Sequence, residues 1–311
     1  MKTVLLRAPR AALPDLAELI GAWEGIGARV RVSGCDGALP DVAAWVAAGD
    51  TLDAVLLVGA AARAPSTALA APFATDRSGR RVPVAWLPAS SPAALRRFAA
   101  AAARAHRRHG RRPAVALLGQ WHPQYLRVVD RLAALVRDKM DTFRWSGERI
   151  GRDELVQALG SGLGLGLYVG HGRPSGWVGY RGLRSHHFEA PVDATDEPPP
   201  EPMGALLSLC CRTASRRRIG LSYAESLPLR GVAAASFGAT GDTLHTDNTR
   251  WAVGLCDAMG AGARDVGELI TLAAPASPSA VAAYRLIGDP LAPLASTPRA
   301  IARARGVATH P

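Results

Sequence analysis

Short apolar runs alternate along this chain with segments whose apolar residues recur at helical spacing. That alternation restricts the fold to a mostly parallel α/β sheet flanked by helices. The first series predicts strands at 3–7, 29–32, 54–58 and 82–87, with helices at 13–25 and 42–48 between them. A long alanine-rich helix follows at 91–109, opened by Ser91-Pro92 and stopped by Gly110. The second series predicts strands at 114–118, 163–169, 205–209 and 232–237, separated by helices at 123–138, 153–159, 223–230 and 249–259. The basic stretch around Gly110 divides the two. The 311 residues are therefore expected to form a smaller N-terminal α/β subdomain at 1–110 and a larger domain at 111–300, with a flexible tail at 301–311.

Chemistry in such folds sits on loops beyond the C-terminal ends of the strands. Two irregular stretches follow predicted strands, the glycine- and aromatic-rich 170–187 and the arginine-rich 212–220; a third, 191–202 (PVDATDEPPPEP), is acidic and proline-rich. The glycines at 160, 162, 164 and 166 do not read as a dinucleotide-binding loop, because they follow a helix and enter a strand. They read as a turn and a strand pressed against neighbouring backbone. Sharper is the run Tyr168-Val169-Gly170-His171-Gly172, which delivers a histidine at a strand end between two glycines that free the backbone to turn. The next predicted strand ends in Leu209-Cys210-Cys211-Arg212-Thr213. Adjacent strand ends lie about 5 Å apart, so His171 and one of the two cysteines meet the requirement for a thiolate nucleophile with a histidine to carry the proton.

These residues resemble the caspase-like cysteine peptidases, the group of caspases, metacaspases, legumain, separase and the gingipains. The shared signatures are Y-x-G-H-G at one strand end and C-x-[ST]-[GA] at the next. Two further stretches resemble the gingipain branch: 82–91 (VPVAWLPASS), similar to its strand before a long helix, and 284–291 (YRLIGDPL), similar to its terminal GDPaL strand. Residues 226–240 (SLPLRGVAAASFGAT) resemble the helix and strand that follow the nucleophile, so the resemblance spans about 82–291. It implies a caspase-like fold with a non-catalytic first third, a cysteine endopeptidase acting on peptide or protein substrates, and a thioester acyl-enzyme. It makes His171 and Cys211 the catalytic pair, Cys211 being the cysteine that matches C-x-[ST]-[GA]. The backbone N–H groups of Gly172 and Cys211 become the oxyanion donors, and Gln120, Trp177, Leu209 and Arg212 the substrate contacts. No cofactor and no metal is expected. A catalytically idle caspase-like module that binds other proteins is the alternative.

The resemblance also marks a departure. Relatives that cut after Arg or Lys carry a carboxylate at one of two places, held here by Gln120 and Leu209. A buried cation without a counter-charge costs several kcal/mol, so an acidic or small uncharged P1 residue is expected. The acidic loop 193–201 and the basic loop 212–218 are expected to border one cleft. His186 and His187 read as solvated, and Asp242, His245 and Asp247 as a polar loop before a helix.

Charge raises the question of nucleic acid, since the formal net charge is +11. Only Lys2 and Lys139 among 37 basic residues are lysines, a bias that fits arginine-rich coding better than a phosphate-binding surface. The cluster at 104–112 (RAHRRHGRR) reads as a solvated helix end that complements the helix dipole. Four cysteines, two of them adjacent, suit neither a disulfide scaffold nor a zinc site. The first residues read as a core strand rather than a signal peptide, and no apolar run is long enough to span a membrane. A cytoplasmic protein of unspecified oligomeric state is expected.

Overall fold

The computed structural model describes residues 1–34, 46, 51–59, 71–108, 110, 112–189, 200–216, 220–275 and 277–307. A single sheet organises them. Its first strands are β1 (Thr3–Ala8), β2 (Arg29–Gly34), β3 (Ala54–Gly59), β4 (Phe73–Thr75) and β5 (Arg81–Pro88). The second series supplies β6 (Arg112–Gly119), β7 (Asp141–Arg144) and β8 (Leu165–Val169). A separate two-stranded hairpin follows, β9 (Gly172–Arg173) with β10 (Gly176–Trp177), and then β11 (Met203–Leu209), β12 (Ala233–Ala239), β13 (Tyr284–Gly288) and β14 (Ala295–Ser296). The order across the sheet is β14-β6-β8-β11-β12-β13-β5-β3-β1-β2, with β7 against β6 and β4 against β5. The long strands form two parallel sets of opposite direction, β6, β7, β8, β11 and β12 in one and β1, β2, β3, β5 and β13 in the other, and the sets meet where β13 runs antiparallel to β12.

Alternation along each strand divides the core into two apolar layers. In β8, Leu165, Leu167 and Val169 face one layer, and Tyr168 faces the other. In β11, Ala205, Leu207 and Leu209 share the first layer, whereas Leu206 and Cys210 share the second. The first layer is covered by α1 (Ala17–Gly25), α2 (Pro92–Arg107), α3 (Pro123–Val136), and, beyond α4 (Arg152–Leu159) and α5 (Tyr223–Leu229), by α6 (His245–Gly260) and α7 (Val266–Ala273). Helix α2 buries Leu95, Phe98, Ala99, Ala102 and Ala105, the i, i+3, i+4, i+7 stripe of an amphipathic helix. It starts at Ser91, whose hydroxyl accepts from the Ala94 N–H at 3.2 Å, with Pro92 as first residue. The second layer is covered by α4 and by α8 (Pro298–Val307).

Helix α8 corrects the expected flexible tail over its described residues: 301–307 are helical and dock on the second layer through Ile301 and Ala304. The expected helix at 42–48 lies outside the described residues apart from Val46, which is helical and buried. The divide near Gly110 is crossed by the sheet, because β5 pairs with β13: Leu286 is opposite Ala85, and Ile287 opposite Trp86. A buried carboxylate locks the same seam. Asp289 accepts from Trp23 Nε1 at 3.0 Å and from the Leu291 N–H at 2.8 Å, and its second oxygen lies 2.7 Å from His106 Nε2. The basic helix end is therefore not simply solvated. His106 is buried, and Arg108 is largely buried with its guanidinium on the Gly162 carbonyl, burial pushing it down to about 10.

The close-packing expectation for the glycine run holds at Gly164, where a Cβ would lie 1.8 Å from the Leu294 carbonyl oxygen. Among the described residues no helix is long and apolar enough to cross a membrane.

Candidate active site

Strands β8 and β11 are neighbours, registered so that Val169 stands opposite Leu209. Two residues beyond each of these come His171 and Cys211, which therefore leave the sheet at the same level. Both line an open cleft of about 590 Å³ with Gly172, Arg173, Pro174, Ser175, Arg212 and Asp242.

The two glycines around His171 serve a purpose other than the expected free turning. Neither has a positive φ; both are required by space. A Cβ on Gly170 would lie 2.3 Å from the Tyr168 hydroxyl, and one on Gly172 would lie 2.4 Å from the Cys211 carbonyl oxygen and 2.5 Å from Cys210 Sγ. The histidine loop thus presses directly onto the cysteine turn, which no side chain at 172 would allow. The backbone of His171 is braced on both sides. Its N–H donates to Gln120 Oε1 at 2.8 Å, and its carbonyl accepts from the Tyr168 hydroxyl at 3.1 Å and the Val178 N–H at 3.0 Å.

The two cysteines have opposite environments. Cys210 is fully buried in the second layer, and burial pushes its thiol well above the ordinary range. Cys211 is half-buried at the cleft. Its Sγ receives the Thr243 N–H at 3.4 Å, lies 3.5 Å from the Thr243 hydroxyl and is 3.7 Å from the Thr243 carbonyl oxygen. Next to it, Arg212 is held at φ 62°. Among the described residues the other non-glycine positive φ values belong to Tyr180 and Arg181, in the loop after His171. Unfavourable backbone geometry is thus concentrated in the two loops beside the cleft. Tyr180 is pinned there: its hydroxyl donates to the Trp145 carbonyl and accepts from the Gly119 N–H at 3.1 Å.

Of the expected substrate contacts, only Arg212 lines the cleft, where it is ion-paired with Asp242. Trp177 does not: it is 2% exposed, stacked on Tyr168 at 4.1 Å, with its indole N–H on the Ser208 hydroxyl at 2.8 Å. Leu209 is fully buried in the first layer. The side-chain oxygen of Gln120 is engaged in bracing His171. The carboxylate that does line the cleft is that of Asp242, ion-paired with Arg212.

Neither His186 nor His187 lines the cleft; their rings pack on each other. His245 packs against Tyr125, and Asp247 pairs with Arg250. No group of residues fit to hold a metal ion occurs among the described residues. The shared border expected for the acidic and basic loops fails at its described end. Glu201 precedes β11 and Arg212 follows it, so the length of the strand, roughly 20 Å, separates them. Residues 190–199 and 217–219 lie outside the described residues. Arg216 is buried on Glu225 inside the molecule. Sequence reasoning did not find Thr243 or Tyr125, whose hydroxyl lies 3.2 Å from His171 Nε2.

A mostly parallel sheet carrying a histidine and a cysteine past neighbouring strand ends is the architecture of a caspase-like α/β protein. The model of peptidase family C25 matches residues 135–295, just over half of the chain, and the chain belongs to that family: it is a cysteine-type peptidase. Among solved structures it is similar to the Arg-specific cysteine proteinase gingipain R, with TM-score 0.71 and 13% identity over 94% of this chain and 78% of that one. A structure described as a protease gives TM-score 0.68 and 14% identity over 94% and 78% of the two chains. The complex of Porphyromonas gingivalis RgpB pro- and mature domains gives 0.67 and 13% over 96% and 80%. At these identities the likeness establishes the fold. A comparison with curated protein sequences gives no significant match.

Proposed function

We propose that this peptidase cleaves internal peptide bonds of protein substrates through a Cys211–His171 dyad. The observation that carries the reading is the cleft itself: the half-buried Cys211 thiol, with the Thr243 N–H directed at its sulfur, shares an open wall with His171. The Cys211 thiolate attacks the scissile carbonyl carbon, forming a C–S bond while the carbonyl electron pair moves onto oxygen. Backbone N–H groups of Gly172 and Cys211 receive that oxyanion. Collapse expels the amine, which takes its proton from the His171 imidazolium and leaves a thioester. Neutral His171 then removes a proton from water as the water attacks the thioester. The C–S bond breaks, the acid product departs, and thiolate and imidazolium are restored.

Cys210 cannot share this role, because it is sealed in the second layer behind Gly172. Labelling with iodoacetamide or an acyloxymethyl ketone, followed by peptide mapping, tests the assignment. Cys211 is expected to be modified about 100-fold faster than Cys210 or Cys256, whose raised pKa values keep them as thiols. Cys211→Ala is expected to be inactive and Cys210→Ala active. The reverse pattern places the nucleophile one residue earlier.

A further inference from the structure

We propose that Tyr125 is the positioning residue of the His171 ring, holding Nε2 so that Nδ1 is the nitrogen that works in the cleft; this rests on the dyad reading above. Tyr125 lies in the first turn of α3, on the stripe that buries Val129, Leu132 and Val136, so its own backbone is anchored in the core. Its hydroxyl is 3.2 Å from His171 Nε2, and its ring meets the imidazole edge-on, with centroids 5.4 Å apart and planes at 84°. His245 packs against the same ring at 5.8 Å, as does His122 at 5.8 Å, so the phenol is held from three sides.

The bracing contacts of Gln120, Tyr168 and Val178 all go to the backbone of His171 and leave the ring free to rotate. Among the described residues, the hydrogen bond made by the imidazole itself is the one to Tyr125. A ring with Nε2 engaged has only Nδ1 to offer the thiol and the leaving amine. When His171 is an imidazolium, Nε2–H donates to the phenol oxygen and the cation is stabilised. When it is neutral, the same bond keeps the remaining proton on Nε2 and leaves Nδ1 as the base. Tyr125 can play this part as a neutral phenol across the working range, because burial and the nearby thiols raise its pKa. The groups facing the imidazole from the packed elements are Tyr125 from α3, Cys211 and Arg212 after β11, Asp242 before α6, and Arg173 on β9.

Tyr125→Phe keeps the ring packing and removes only the hydroxyl. It is expected to lower kcat about 10-fold with KM unchanged. In protein labelled with 15N-histidine, two-bond couplings should show the Nε2–H tautomer of neutral His171 in the wild type and lose that preference in the variant. Unchanged kcat and tautomer overturn the proposal, as does an Nδ1–H tautomer in the wild type, a measurement that needs no variant to fold. Activity that survives His171→Ala would instead overturn the dyad, whereas the coupling measurement reads the Tyr125–His171 bond whether or not the enzyme turns over.

Discussion

Two histidines of this molecule each meet an oxygen, His106 the Asp289 carboxylate at 2.7 Å and His171 the Tyr125 phenol at 3.2 Å, in surroundings that share little else. The Asp289 group is fully buried, and both of its oxygens are occupied, by the Trp23 indole and the Leu291 N–H on one and by His106 on the other. His171 is exposed, and among the described residues its ring has the one hydrogen-bond partner Tyr125, in a cleft lined by Arg212 with its positive φ. The first arrangement spends its polar groups on each other and ties elements together. The second leaves a ring nitrogen unspent, which is what a proton carrier requires. On the dyad reading, burial and completeness of hydrogen bonding, rather than residue type, separate the structural histidine from the one proposed to react.

The contrast is broken most directly by exchanging the consequences. His171→Ala is expected to reduce kcat/KM by about 10³-fold or more while leaving the denaturant midpoint in place. Asp289→Ala should do the opposite. It strands His106, Trp23 Nε1–H and the Leu291 N–H in the core, and is expected to cost about 3–5 kcal/mol in urea unfolding, with activity per folded molecule retained. A His171→Ala protein that unfolds early, or an Asp289→Ala protein as stable as the wild type, would erase the distinction.

A smaller effect separates the buried thiols from the cleft. Burial, reinforced by Asp257, pushes Cys256 from 9.0 up to about 12. Between those values the unfolded thiol has lost its proton and the folded one has not, so the unfolded state binds fewer protons and stability falls as pH rises. Below about 9 that contribution is fully present. Cys256→Ala should therefore lose less stability than the wild type between pH 8 and pH 10, by about 1 kcal/mol in paired denaturant titrations. Parallel curves would show that the thiol does not couple to folding. The smallest effect concerns the exposed Arg212–Asp242 pair. The wild type is expected to prefer small uncharged or acidic P1 residues in a fluorogenic library, and Arg212→Ala, which removes the cation paired with Asp242, to gain severalfold on Arg and Lys. Dominant cleavage after Arg or Lys by the wild type sinks that reading.

Most of the long strands were legible in the sequence to within a residue or two, because segments such as Ala54–Gly59 and Met203–Leu209 are buried throughout and must be apolar on both faces. Asp141–Arg144 was not, since it is a short edge strand with one buried residue. At the site, His171 and Cys211 announced themselves by ending apolar runs. Tyr125 did not, because at its position in α3 it reads only as one more core contact, and its partner lies 46 residues away. Trp177 misled for the complementary reason: an aromatic in a glycine-rich loop looks available, and only the Ser208 hydroxyl on β11 shows why it points inward. The glycines of the Gly-His-Gly run were identified correctly but for the wrong property, since closeness to Cys210 and Cys211 is invisible until β8 and β11 are set side by side.

The place of β13 governs how the chain must assemble as it is synthesised. Strands β1, β3 and β5 are complete once residue 88 has been made, and β12 once residue 239 has. Each of β5 and β12 then presents an open hydrogen-bonding edge to the other until the strand that fills the gap, 284–288, has been made. Both edges are exposed in the interval to pairing with other chains. Closing a loop of this length makes the insertion of that strand slow relative to the local steps that precede it.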